Sequence, residues 1–342
     1  MYHRVKNGIL FLIKLSTKRT EREMDMVFYL ILGLLAFLAV FILLFAYVCY
    51  RLVFYKTKKK PLGTDEYEIP DGGEYEPYRE VIVESIKKGR AMKHEDVSVK
   101  SFDGLTLCGR YYEYRAGAPL EILFHGYRGN SERDLSAGVD RCFALGRNAL
   151  IVDHRASGRS EGKVITFGIL ERRDCLTWVD FAVRKFGKDV KIILTGVSMG
   201  AATVMMALGE ALPKNVVCVL ADCGYSSPKE IIKKVMRDMK LPADLFYPFV
   251  KLGAKLFGKF NLEETTPMTG VCRAQIPVIF IHGEDDGFVP CDMSRSLYEA
   301  CISPKKILTV PGAGHGIAYL KDGEAYLGAL RDFEEECGFL NT

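Results

Sequence analysis

Three residue types that together can turn a hydroxyl into a nucleophile follow separate apolar runs of this 342-residue chain. A serine sits in LTGVSMGAATVMM (residues 194–206), an acidic pair in VIFIHGEDDGFVP (278–290) and a histidine in KILTVPGAGHG (306–316). A serine hydroxyl reacts poorly until a neighbouring base takes its proton, and imidazole is the side-chain base suited to neutral water. A carboxylate beside that imidazole fixes its orientation and stabilises its charged form. The chain order is Ser198, then Asp285 or Asp286, then His315. Such a set would carry out acyl transfer through a covalent serine intermediate. The short pattern GVSMG is weak by itself, because glycine fills 32 of the 342 positions and such spacings arise by chance. It gains meaning only from a strand before it and a helix after it.

Those elements can be read from the pattern. Residues 191–195 (KIILT) form a short β-rich run, and residues 201–212 (AATVMMALGEAL) a helical one that ends near Pro213. Gly196 and Gly200 leave room for strand and helix to approach. The helix N-terminus adds positive potential at the serine. A packed turn without chemistry is the competing reading of Ser198. Further runs at 97–101, 105–112, 121–124, 149–153, 216–221, 278–281 and 306–310 also read as strands. The first two suggest a hairpin around Phe102-Asp103-Gly104, and the later ones alternate with helix-length segments. That alternation predicts a largely parallel sheet with helices on both faces, whose carboxyl ends collect the chemistry. Those ends carry His125-Gly126-Tyr127, Asp153-His154-Arg155, Ser198, the Asp285-Asp286 loop and His315.

Taken together, HGYRG, DHRASGRSEG, GVSMG, HGEDDGFVP and GAGHG make residues 95–340 resemble the α/β-hydrolase superfamily. Within it the chain is similar to bacterial esterase-like hydrolases grouped with serine-aminopeptidase-like and prolyl-oligopeptidase-like domains. The resemblance implies an α/β-hydrolase fold with a mostly parallel eight-stranded sheet and a small helical cap. It aligns H-G-x-x-D-x-x-V-P with His282, Gly283, Asp286, Val289 and Pro290, which favours Asp286 over Asp285 as the acid. His315 is then the base. The oxyanion donors expected for this chemistry are the backbone N–H groups of Met199 and Tyr127. Ala156-Ser157-Gly158 departs from the Gly-x-Gly frequent at that place, with no catalytic consequence expected. His125 and His282 read as loop braces, His154 as structural, and Arg128 as a solvated surface residue. No metal motif, phosphate loop or cofactor requirement is apparent. A net charge of +4 without a nucleic-acid motif gives no reason to expect a nucleic-acid partner.

Residues 26–50 (MVFYLILGLLAFLAVFILLFAYVCY) hold no charge, which predicts one uncleaved transmembrane helix. Residues 1–25 form a tail, and Met24 is an alternative start. Arg51, Lys56 and Lys58–Lys60 follow the helix, so a start at Met24 would leave positive charge on that side only and face the catalytic domain to the cytoplasm. The ten cysteines are scattered, without a C-x-x-C pair, and several lie in apolar runs such as VVCVLADC. They read as reduced core residues, not a disulfide framework. Residues 51–94 are expected to be linker and juxtamembrane segment, and 95–342 the hydrolase domain. A cap at about 226–273 is expected to set specificity. Between 229 and 260 it carries eight Lys/Arg against three Asp/Glu, with Phe246, Tyr247, Phe249, Phe257 and Phe260. Those aromatics are expected to pack on the core while the lysines face water; contact with lipid headgroups is the alternative. The substrate class expected is a carboxylic ester or thioester with a lipid-like or small acyl group. Peptidase or acyltransferase activity with the same three residues, or a non-catalytic membrane-tethered binding protein, are the other readings.

Overall fold

The computed structural model describes residues 2–57, 63, 65–70 and 72–339, so most of the lysine-rich stretch of the linker falls outside the described residues. Eight strands form one sheet in the order β1-β2-β4-β3-β5-β6-β7-β8. They are β1 (Glu95–Lys100), β2 (Thr106–Tyr112), β3 (Leu120–Phe124), β4 (Asn148–Val152), β5 (Ile192–Val197), β6 (Val216–Asp222), β7 (Val278–Gly283) and β8 (Lys305–Val310). All eight expected strands are present, displaced by at most two residues at their ends. β1 and β2 pair as the expected hairpin, Gly104 turning it at φ +89, and β2 pairs antiparallel with β4. The remaining neighbours are parallel. β3 and β4 are buried along their whole length, as parallel strands covered on both faces must be, whereas edge strand β1 buries alternate residues.

Eleven helices complete the described chain. They are α1 (Tyr2–Val53), α2 (Arg79–Ala91), α3 (Ser131–Ala144), α4 (Glu171–Phe186), α5 (Met199–Ala207), α6 (Pro228–Asp238), α7 (Ala243–Leu256), α8 (Pro267–Val271), α9 (Cys291–Ala300), α10 (Ala318–Lys321) and α11 (Gly323–Cys337). One sheet face packs on α4, α5, α8 and α9 through Trp178, Val204, Val271 and Leu297. The other packs on α3 and α11 through Leu135, Val139, Leu330 and Phe333. α5 stops five residues before the expected end. Gly270 of α8 crosses it so closely that a Cβ there would lie 1.9 Å from the Met205 carbonyl oxygen. Among the described residues no disulfide joins any of the ten cysteines, and seven of them are buried.

α1 is long and apolar enough to cross a membrane. Its side chains from Ser16 to Phe41 are exposed, whereas Ala46, Cys49, Tyr50 and then Phe54 are buried in the fold. The buried end lies along α7. Phe45 meets Phe246 and Phe249 at ring distances of 5.5 and 4.9 Å, and Phe54 meets Phe260 at 5.2 Å. Only a glycine allows this approach at position 253, where a Cβ would lie 2.4 Å from the Ala46 carbonyl oxygen. The aromatics of 226–273 thus pack largely on α1. The last turns of α1 and the residue after them meet these rings with Phe45, Tyr47, Tyr50 and Phe54. The chain after α1 also enters the fold. Tyr55 bridges Val164, the Lys56 N–H donates to the Lys163 carbonyl, and the Ile165 N–H donates to that of Phe54.

Candidate active site

β5 delivers Ser198 and α5 carries the chain away. Ser198 has φ +56, a left-handed backbone that an L-residue adopts only under constraint. The constraint is closeness: a Cβ on Gly200 would sit 2.0 Å from the Phe124 carbonyl oxygen, and one on Gly196 2.0 Å from the Gly200 carbonyl carbon. The turn is held by the Ser198 N–H, which donates to the Asp222 carbonyl at 2.8 Å.

Ser198 Oγ lies 2.9 Å from His315 Nε2, and His315 Nδ1 lies 2.7 Å from Asp286 Oδ2. The structure therefore brings Ser198, His315 and Asp286 together, and leaves Asp285 exposed to solvent. Asp286 Oδ1 accepts the N–H groups of Phe288 and Val289 at 2.9 and 2.8 Å. Burial alone would raise the Asp286 carboxyl. Hydrogen bonds from His282 and His315, with that of the Val289 N–H, outweigh burial and hold it well below the usual carboxylate range. His282 braces this loop: Nε2 faces Asp286 Oδ2 at 3.1 Å and the Val289 carbonyl at 2.8 Å, and Nδ1 faces Ser294 Oγ. His125 and His154 bind each other's backbones at 3.0 and 3.1 Å. Burial pushes both imidazoles down to about 3, which keeps them neutral braces. Cys223 Sγ, Asp286 and His315 lie within 4.8 Å of one another. Burial pushes that thiol well above its ordinary value, and both His315 nitrogens already face Asp286 and Ser198.

The loop after β3 passes beside the serine; a Cβ on Gly126 would lie 3.6 Å from Ser198 Cβ. Tyr127 belongs to this loop and Met199 opens α5. Among the described residues neither N–H enters a backbone hydrogen bond of the turns and loops. The loop is tied to the end of α1. Tyr127 Oη donates to the Val53 carbonyl at 2.6 Å. Arg128 Nη2 donates to the carbonyls of Leu52 and Tyr55 at 2.7 and 3.2 Å. Lys56 Nζ donates to the carbonyls of Arg128 and Gly129 at 3.1 and 3.0 Å. Burial, with repulsion from Arg133, lowers Lys56 to about 8. Arg128 is exposed, as expected, but it is also engaged: it supplies donors to the Leu52 carbonyl at the end of α1 and to that of Tyr55 beyond it. Nothing local in the sequence signals this, since its partners are more than seventy positions away.

A cavity of about 450 Å³ opens beside Ser198 and His315. Leu123 and Val197 of the sheet, Leu135 of α3 and Leu320 of α10 line it, together with the charged residues Glu74, Arg133, Asp134, Arg141 and Asp222. Tyr75 and Ile82, from the short 3-10 turn Gly73–Tyr78 and from α2, close its other side. Tyr75 Oη donates to the His315 carbonyl at 2.9 Å, and a Cβ on Gly314 would meet Glu74 Oε2 at 2.5 Å. No described residue of 226–273 lines this cavity, so its lining gives no support to the specificity role expected of that segment. Its apolar side chains are engaged by α1, and the chain before the sheet takes the position over the serine.

A family model for the alpha/beta hydrolase fold matches residues 122–256, and one described as serine hydrolase matches residues 193–321. A polyketide transferase of Stachybotrys chlorohalonatus is 31% identical, over 71% of this chain and 97% of its own length. The Bacillus subtilis protein YqkD is 28% identical over 55% of this chain, and the match spans 62% of that relative. A membrane protein of Saccharomyces cerevisiae is 28% identical over 57% of this chain and 63% of its own. An esterase of Pyrococcus furiosus superposes with a TM-score of 0.62 at 20% identity, covering 83% of this chain and 98% of its own. The fold and the matched families define an α/β hydrolase of the serine-hydrolase kind. This chain belongs to that family.

Proposed function

We propose that the protein is a membrane-anchored serine hydrolase that cleaves acyl esters or thioesters through an acyl-enzyme on Ser198. The observation that carries the reading is the unbroken contact chain from Ser198 Oγ through His315 to Asp286, at 2.9 and 2.7 Å. His315 Nε2 takes the Ser198 proton as Oγ attacks the acyl carbon. It then returns that proton to the leaving alcohol or thiol. Water enters with His315 again as base, and the acyl group leaves as the acid. Asp286 holds Nδ1 and balances the imidazolium. The N–H groups of Tyr127 and Met199 receive the oxyanion. The cavity beside Ser198 takes the acyl group: Leu123, Leu135 and Leu320 give it an apolar side for a hydrocarbon chain, beside the charged groups of Arg133, Asp134 and Arg141. Residues 26–50 anchor the chain in the bilayer, in keeping with a relative named as a membrane protein.

A test uses the full chain in lipid nanodiscs with p-nitrophenyl esters of increasing acyl length. Turnover is expected to vanish in Ser198→Ala and to depend on acyl length. Turnover unchanged in Ser198→Ala would remove the proposal. A second reading, transfer of the acyl group to an acceptor other than water, is favoured by the relative named as a transferase. Adding an alcohol separates the two. Ester product formed in place of acid would indicate transfer.

A further inference from the structure

The exposed run of α1 reaches the fold at the depth of one bilayer. α1 makes its first buried contact at Ala46, and Leu43 and Leu44 before it are still 46% and 61% exposed. Charge precedes the apolar run at Asp25, so twenty residues, 26–45, separate the last charge from that contact. At 1.5 Å per residue those twenty cover about 30 Å, matching the ~30 Å of hydrocarbon. A bilayer that begins at Met26 therefore ends beside Phe45, at the level where α7 lies beside α1.

What the fold presents at that level follows from the packing register. α1 and α7 run side by side in the same direction: Phe45 meets Phe246 and Phe249, Tyr50 meets Phe257 at 5.9 Å, and Phe54 meets Phe260. Extended backwards by the same offset, the α6–α7 turn stands beside residues 38–41. That turn exposes three large apolar side chains: Met239 is 65% exposed, Leu241 37% and Leu245 61%. Arg237 and Lys240 are exposed among them, as are Asp238 and Asp244, which pair with Lys234 and Lys233. Apolar side chains rimmed by charged groups of both signs fit the boundary between acyl chains and headgroups.

We propose that the α6–α7 turn is a second membrane contact, which seats Met239, Leu241 and Leu245 in the leaflet beside α1 and holds the hydrolase domain against the bilayer. The proposal rests on the reading of α1 as a membrane span. It also orients the site. α6 runs from this turn towards the acid loop, where Lys234 donates to the Gly287 carbonyl, one residue from Asp286. The 226–273 segment then acts as a foot on the membrane, while the segment before the sheet covers the cavity.

The test places one added tryptophan in the full chain, reconstituted in phosphatidylcholine–phosphatidylglycerol vesicles with or without brominated acyl chains. The native Trp178 is 1% exposed inside the core and gives a constant background. Phe37→Trp reports the span, Leu245→Trp the turn, and Ile302→Trp, at a residue 71% exposed elsewhere on the domain, the solvent. The added emission at 245 is expected to fall by about half or more with brominated lipid, as for a side chain seated ~5–10 Å into the boundary, while that at 302 is unchanged. Quenching at 37 with none at 245 overturns the second contact and leaves the span standing. No quenching at 37 overturns the span, and the second contact with it.

Discussion

Residues 70–91 and residues 226–273 both lie outside the sheet and both hold helices, yet they serve different neighbours. The first segment is polar in composition, but it reaches the candidate site: Tyr75 holds the His315 carbonyl and Ile82 lines the cavity. The second is rich in aromatics, but it spends them on α1. A segment's position in the sequence relative to the fold is therefore a poor guide to which piece covers the serine. Four aromatic rings of 226–273 dock where α1 offers matching rings, and that leaves the cleft between α3 and α10 to be covered by the chain that arrives just before β1.

The contrast can be broken by substitutions on either side. Phe54→Ala removes a ring with 0% exposure from the contact between α1 and the 226–273 segment. It is expected to cost about 3–5 kcal/mol, read as a lowered denaturation midpoint in detergent. Leu320→Trp fills the cavity under the 70–91 segment. It is expected to cut kcat/KM for long acyl esters by about 10- to 100-fold while sparing acetate, since an occupied apolar pocket rejects added methylenes at about 1–3 kcal/mol. Equal loss for acetate and long chains would place the acyl group elsewhere. Arg128→Ala unties the 126–129 loop from the α1 carbonyls. It is expected to lower kcat about 10-fold with little change in KM, because a misaligned oxyanion donor is felt mainly in the transition state. Arg128→Lys should recover part of that loss. Tyr75→Phe removes one hydrogen bond to the His315 carbonyl, worth about 0.5–1.5 kcal/mol. A shift in acyl-length preference with unchanged fluorophosphonate reactivity would sharpen its role as a wall.

A pH scan addresses the braces. Folding holds His125 and His154 at about 3, while the unfolded chain protonates them near the ordinary 6.5. Between those values the unfolded state binds more protons, so stability is complete above that window and falls as pH drops into it. Each histidine is expected to contribute up to about 1.4 kcal/mol per pH unit. The melting temperature should decline from pH 7 to pH 5; a flat profile would mean these imidazoles accept protons in the fold.

What could be read in the sequence was local. Ser198, Asp286 and His315 each follow the end of a strand by one to five residues, and each sits in a glycine-rich turn whose spacing is set locally. The eight strands were legible for the same reason: runs such as LEILF and NALIV carry their burial in their composition. The roles of Tyr75, Lys56 and Arg128 were not legible. Tyr75 meets His315 across 240 positions, and Lys56 meets Arg128 across 72. No periodicity encodes such a meeting. The aromatics between 246 and 260 were ambiguous in another way. Helical spacing of phenylalanines fits a core, a lipid face or a helix partner equally well, and only the presence of α1 beside them decides.

The most direct measurement is fluorophosphonate labelling of the full-length chain in detergent, alongside Ser198→Ala, His315→Ala and Asp286→Asn. One label per wild-type chain is expected, none in Ser198→Ala, and labelling slowed by at least about 10³-fold in His315→Ala with a smaller loss in Asp286→Asn. Labelling that persists in Ser198→Ala, or a folded wild-type chain that takes no label, would contradict an activated serine at the end of β5.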